Sequence, residues 1–118
     1  MRYISIFTHE HENANKSPTP PSPEMMAKMG ALIEQGMKAG WLVTTEGVHF
    51  GERPLRVSSK KGKVTVVDGP FAEAKEVLGG YAILEAKDRD HVLELTRQFL
   101  SVAGDGTCEI HELYQQPK

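Results

Sequence analysis

Two histidines lie close together near the N-terminus, in the run His9-Glu10-His11-Glu12. Side chains two residues apart point to the same side of a β-strand, so His9 and His11 could present two imidazoles to a metal ion. A catalytic metal site would need a third ligand, such as His49 or Glu46. A solvated polar loop is the favoured alternative, because Asn and Pro residues follow. His9 alone, at the end of a predicted strand, is the better acid–base candidate, since an unperturbed histidine titrates near neutral pH.

A second candidate is Asp68, the first residue of the run DGPFAEAKE at positions 68–76. The Asp-Gly-Pro start is typical of a tight turn, because glycine adopts positive φ and aspartate bonds its own backbone. The functional interpretation makes Asp68 an acid–base or ligand-orienting carboxylate at a cavity mouth. Burial beside Phe71 would raise its pKa, whereas the nearby Lys75 would lower it. The structural and the functional interpretations both stay open.

Other polar and aromatic residues could line the same cavity. Glu46 and His49 are three residues apart and could act as acid and orienting group, although ordinary polar residues of an exposed edge strand are favoured. Tyr81 and Trp41 combine an aromatic body with a polar tip, which suits either a ligand pocket or the core. The predicted ligand-binding residues are Glu46, Gly69, Pro70, Phe71, Glu73, Lys75 and Tyr81. For Glu73 and Lys75, an ion pair is favoured over a catalytic role.

Composition excludes several classes of protein. The chain has 118 residues, so we expect one domain over residues 1–118. Its net charge of −2 argues against sequence-independent nucleic-acid binding. No apolar run is long enough for a bilayer, and the N-terminus lacks signal-peptide features. The single Cys108 excludes an internal disulfide and a cysteine-built zinc motif. We therefore expect a reduced, cytoplasmic protein without membrane or direct nucleic-acid partners.

Apolar periodicity predicts the elements that must position these residues. The predicted strands are residues 3–7, 41–45, 55–58, 64–66, 80–86 and 108–112, with a loop over residues 9–22. The first helix begins at the capping residue Ser22 and ends at Gly40, and the second begins at Asp88 and ends at Gly104. The first helix carries one apolar stripe, formed by Met26, Met29, Ile33 and Met37.

This order predicts an α+β, ferredoxin-like βαββαβ fold with an inserted β-hairpin. Right-handed crossovers place both helices on one face of the sheet. The other face then needs a partner, which is either a ligand or the sheet of a second copy. We favour a homodimer with a cavity between the two sheets.

The run at positions 68–76 resembles the signature of the YCII-related proteins, in particular their longer DGPF branch. Residues 23–40, 46–48 and 79–81 resemble its first helix, second strand and the segment after the signature. The resemblance implies a dimeric α+β barrel, in which two sheets of a homodimer enclose a cavity. A shorter branch carries a His–Asp pair there, with its histidine early in the first helix. The resemblance does not transfer this His–Asp pair to the present chain, because its first helix begins Glu24-Met25-Met26.

Two functional hypotheses follow, one of them enzymatic. In the first, a homodimer binds a small organic molecule in a cavity at residues 68–71. It acts as an isomerase- or lyase-type enzyme without a metal or organic cofactor, with Asp68 as acid or base and His9 or His49 assisting. The second is implied by the resemblance, because relatives recur beside or fused to extracytoplasmic-function sigma factors. In that case the chain is a non-catalytic regulatory module with a sigma-factor partner.

Overall fold

A computed structural model describes residues 1–10, 22–48, 55–68 and 76–114. This part of the chain contains two helices and six strands. They are β1 (Arg2–Glu10), α1 (Pro23–Ala39), β2 (Leu42–Gly47), β3 (Leu55–Lys60), β4 (Lys63–Asp68), β5 (Glu76–Glu85), α2 (Arg89–Ala103) and β6 (Thr107–Glu112). With the β3–β4 hairpin set aside, the order is that of the predicted ferredoxin-like α+β fold, which is confirmed.

The helix ends follow the capping signals in the sequence. The Ser22 side chain accepts a hydrogen bond from the Met25 amide at 3.1 Å, and Gly40 closes α1 with a φ of 90°. The Asp88 carboxylate accepts a hydrogen bond from the His91 amide at 2.9 Å. These side chains satisfy helix-terminal N–H groups that the helix itself leaves without partners.

Strands β1 and β5 extend well beyond their predicted bounds. β1 continues through Glu10, so the loop predicted to begin at His9 is wrong for its first two residues. β5 begins at Glu76 rather than at residue 80. The reason is cross-strand pairing, with His9 opposite Val77 and Glu10 opposite Glu76. Pairing with a distant strand overrides the weak local strand preference of polar residues.

The four main strands form an antiparallel sheet in the order β2-β5-β1-β6. Residues paired across neighbouring strands share a face. The buried pair Tyr3–Leu84 belongs to the core, together with Val92 and Leu95 of α2. We call the opposite side of the sheet the outer face. Its apolar members are Ile4, Ile6, Leu78, Tyr81 and Ile83. In the described part of the chain the sheet is open at β2 and β6, so one chain does not close a barrel.

Helix α1 contacts the core mainly near its C-terminal end. Gly36 is its one buried residue, and Ile33 packs against the core cluster. Met26 and Met37 are 60% and 50% exposed, so the predicted four-residue stripe is not a buried stripe. The helix must approach the sheet at Gly36, because only a residue without a side chain fits there.

Alanine at Gly36 is expected to lower the free energy of unfolding by about 1–3 kcal/mol. Its Cβ would lie 2.7 Å from Cη2 of Trp41 and 2.9 Å from Cβ of Leu42, so α1 would be pushed from the sheet. Gly30→Ala is the matched control, since its Cβ meets nothing within 4 Å. Higher helix propensity should make that variant about 0.5–1 kcal/mol more stable. Urea unfolding measures both, and equal shifts would contradict the close approach at Gly36.

Strands β3 and β4 form a two-stranded hairpin separate from the four-stranded sheet. Lys61 and Gly62 make its turn, both with positive φ (51° and 80°), which matches a two-residue type I′ turn. The turn is shorter than the predicted one because the strands continue to Lys60 and Lys63. Every residue of the two strands is exposed.

Candidate functional site

A large cleft lies between the helices and the sheet. Its volume is about 1060 Å³, at the upper end of the range for small-molecule sites. Phe7 and His9 of β1 line the sheet side, Met29 and Ile33 line the α1 side, and Phe99 lines the α2 side. Most lining side chains are apolar, so the cleft is suited to a molecule with substantial apolar surface.

The cleft exists because α1 is closest to the sheet at one end only. At Gly36 the helix backbone meets Trp41 and Leu42. Towards the N-terminus, Met25 and Met29 are half-buried side chains that line the cleft. Methionine is flexible and polarisable, which lets such a wall adapt to differently shaped ligands.

His9 is held at one end of the cleft by aromatic contacts. Its ring stacks on Phe7, with centroids 5.9 Å apart and an interplanar angle of 25°. Phe7 in turn meets Phe99 edge to face, with centroids 5.3 Å apart. Stacking of this kind restricts the imidazole to few orientations, as a proton-transferring group requires.

Two glycines leave the space that these rings occupy. A Cβ at Gly79 would lie 2.8 Å from Cδ2 of Phe7 and 3.2 Å from Cδ2 of His9. A Cβ at Gly106 would lie 2.5 Å from Cζ of Phe7. The β1–β5 register also shifts between Phe7 and Thr8, which places Gly79 in an irregularity of the ladder. Irregularities of this type often re-aim side chains beside functional sites.

Other polar residues also line the cleft, among them the acidic residues Glu46 and Asp105. The Thr45 hydroxyl donates to the Tyr81 carbonyl at 2.9 Å, and the Thr96 hydroxyl donates to the Val92 carbonyl at 2.8 Å. Among the described lining residues, His9 is the one histidine. Histidine is the residue type best suited to acid–base chemistry at neutral pH.

Three predicted site residues border this cleft, namely His9, Glu46 and Tyr81. Glu46 of the edge strand β2 pairs with Tyr81 of β5, and this pair falls on the outer face of the sheet. Asp68 ends β4, is exposed and pairs with Leu55. It is not among the described residues that line the cleft. The predicted residues outside the described part of the chain are His11, His49, Gly69, Pro70, Phe71, Glu73 and Lys75.

The end of the DGPF run lies beside His9. Glu76, its last residue, pairs with Glu10, and the next residue, Val77, pairs with His9. The run therefore enters the sheet at the strand end that carries the histidine. His9 and the DGPF run, which the sequence presents as two separate candidates, therefore lie close together.

Sequence reasoning missed the α1 and α2 walls of the site and the role of Gly79. Neither Phe99 nor Met25 is among the site residues that the sequence predicts. The adjacent Gly79 and Gly80 within a strand were a usable signal, because glycine inside a strand often marks a bulge or a close approach.

Cys108 is half-buried on β6, and burial raises the pKa of its thiol, with a hydrogen bond from Ser5 acting in the opposite direction. A thiol with a raised pKa is a poor nucleophile at neutral pH. In the described residues no three His, Cys, Asp or Glu side chains are grouped as metal ligands. Neither described helix is long and apolar enough to cross a membrane.

Fold and cleft together define a ferredoxin-like α+β protein with a cleft of ligand size between its helices and its sheet. The YCII-related domain matches residues 1–115 of the chain, which belongs to that family. The match does not separate the DGPF branch from the rest of the family, so the branch rests on the motif resemblance. A search among curated proteins found no significant match.

Proposed function

We propose that this protein binds a small, largely apolar organic molecule in the helix–sheet cleft, with His9 as an acid–base group. The carrying observation is the His9 imidazole, which stacks on Phe7 at the end of a mostly apolar cleft. An apolar ligand with one polar, proton-bearing group would place its body against the methionines and its polar group at His9. Isomerisation or elimination then needs only positioned acid–base groups, and no cofactor is part of the proposal.

Asp68 is the second acid–base group of the proposal. Its support is the course of the chain, since the run that begins at Asp68 ends in β5 beside His9. A ligand in the cleft could then be contacted from the sheet by His9 and from the DGPF run by a carboxylate. Phe71 and Lys75 stay proposed ligand contacts, and His49 stays an assisting candidate.

The homodimer is also a proposal. The outer face carries Ile4, Ile6 and Ile83, which are half-buried, and Leu78 and Tyr81, which are 44% and 37% exposed. A partly exposed apolar face of this kind favours an interaction surface. Light scattering tests the dimer, and a strict monomer at all concentrations would contradict it.

A thermal-shift screen with aromatic compounds, lactones and small organic acids tests ligand binding. A compound at about 100 times its Kd should stabilise the protein by about 2.7 kcal/mol, which is a rise of several degrees in Tm. His9→Gln should remove most of this rise. His111→Gln is the matched control, because His111 lies on the opposite face of the sheet, opposite Ile4.

The screen can also contradict the proposal. A compound that raises the Tm equally in wild type and in His9→Gln would bind elsewhere. A cooperative melting curve with no shift for any compound would favour the regulatory role beside a sigma factor.

A further inference from the structure

One end of the helix–sheet cleft is electronegative. Helix α2 runs towards this end and finishes at Ala103, which lines the cleft. The Gly104 amide donates to the Leu100 carbonyl at 2.9 Å, and the carbonyls that follow have no partner inside the helix. The last turn of α2, residues 100–103, carries no basic side chain. The partial negative charge of this helix end is therefore not offset by its own side chains, and such an end attracts cations.

Asp105 adds a full negative charge at the same end. It is exposed, lines the cleft and directly follows the Gly104 cap. Its neighbour Gly106 fixes its place, because a Cβ there would lie 2.5 Å from Cζ of Phe7 and 2.9 Å from the Thr8 carbonyl oxygen. Consecutive Cα atoms are about 3.8 Å apart, so the Asp105 backbone is close to the Phe7 ring. None of the ion pairs between described residues includes Asp105.

Two aromatic rings adjoin this negative end. Phe7 and Phe99 are half-buried and line the cleft, with their centroids 5.3 Å apart in an edge-to-face contact. The face of an aromatic ring attracts a cation, and the attraction grows where water is excluded. A cation at this end would meet a carboxylate, helix carbonyls and aromatic rings, all of which favour positive charge.

We propose that the cleft binds an amine that is protonated at neutral pH and carries an apolar body, with its ammonium group at Asp105 and the C-terminal end of α2. The assignment rests on the proposed function, of which it specifies the ligand. An ammonium group has three N–H donors, and the carboxylate and the helix carbonyls are acceptors. The apolar body lies against Met25 and Met29 of the α1 wall. The carbon atoms next to the nitrogen then lie at the His9 end of the cleft.

Three indole compounds with the same two-carbon spacer test the charge of the ligand. Tryptamine ends in an ammonium group, tryptophol in a neutral hydroxyl and indole-3-propionate in a carboxylate. In isothermal titration calorimetry of the wild type, we expect tryptamine to bind about tenfold or more tighter than indole-3-propionate, with tryptophol between them. A rise in salt from about 0.1 M to about 1 M should narrow this difference, because screening weakens interactions between exposed charges.

Asp105→Asn tests whether the preference comes from this carboxylate. Asparagine keeps the size of the side chain, which is exposed, so the fold should persist. We expect the variant to bind tryptamine about three- to fivefold more weakly and to bind tryptophol as the wild type does. Asp90→Asn is the matched control, because Asp90 is also exposed and lies in the first turn of α2, at the other end of the helix. It should leave the affinity for tryptamine unchanged.

The outcomes separate the amine from the cleft itself. Equal affinity for the three compounds, or tighter binding of indole-3-propionate, overturns the amine class and leaves a ligand in the cleft standing. Equal losses in Asp105→Asn and Asp90→Asn overturn the contact at Asp105. If tryptamine does not bind while the thermal-shift screen yields a neutral or anionic ligand that depends on His9, the amine class fails and the proposed function stands. If no compound of either set binds, both fail.

Discussion

Replacing Leu95 with alanine is expected to lower the free energy of unfolding by about 3 kcal/mol. Leu95 lies in the middle of α2, is 5% exposed, and belongs to the core with Tyr3 and Leu84. Truncation removes buried apolar atoms and leaves a cavity that the rigid sheet cannot fill. The described core contains only six buried apolar residues, so the loss of one is a large fraction of it.

Leu93→Ala is the matched control, on the same helix two residues earlier. Leu93 is 45% exposed, and its truncation should cost less than about 1 kcal/mol. Thermal or urea unfolding measures both variants, and Leu95→Ala should melt roughly 10 °C or more below wild type. Equal losses in the two variants would mean that α2 presents a different face to the sheet.

The parts of the fold that local signals specify could be predicted from the sequence. Ser22 and Asp88 cap helices through their own side chains, so the signal and the structure are only three residues apart. The alternation in β3 and β4 likewise predicted the hairpin. These features need no knowledge of the rest of the chain.

Features that depend on distant residues could not be predicted in the same way. The end of β1 at His9 and Glu10 is set by pairing with β5, about seventy residues later in the chain. The cleft depends on where α1 meets the sheet, which Gly36 and Trp41 decide. The helical spacing of the methionines does not locate that contact, because Met26 and Met37 fit the spacing and are nevertheless exposed.

The site itself was only partly accessible to sequence reasoning. His9 could be chosen because its residue type and its place at a strand end are local properties. Its stacking on Phe7 and the edge contact to Phe99 join three elements, and no spacing in the sequence predicts them. The expected cavity at residues 68–71 stays a prediction, since residues 69–75 lie outside the described part of the chain.

His9→Gln and Asp68→Asn are each expected to lower turnover of the compound selected by the thermal-shift screen by about 10²–10⁴-fold. Glutamine keeps the polarity of His9 but cannot exchange a proton at neutral pH. Asparagine keeps the size of Asp68, and the side chain is exposed at the end of β4, so the fold should persist. Steady-state kinetics measures the losses, with His111→Gln and the exposed Asp90→Asn as controls of the same chemical changes.

The double variant decides whether the two groups act on one ligand. Groups that share one proton-transfer step lose their effects non-additively, because removal of either already disables the step. We therefore expect the double variant to be hardly slower than the slower single variant. Full turnover in His9→Gln would remove the acid–base role from the cleft. Full turnover in Asp68→Asn would make Asp68 a turn residue, and the DGPF run would then act by positioning β5 beside His9.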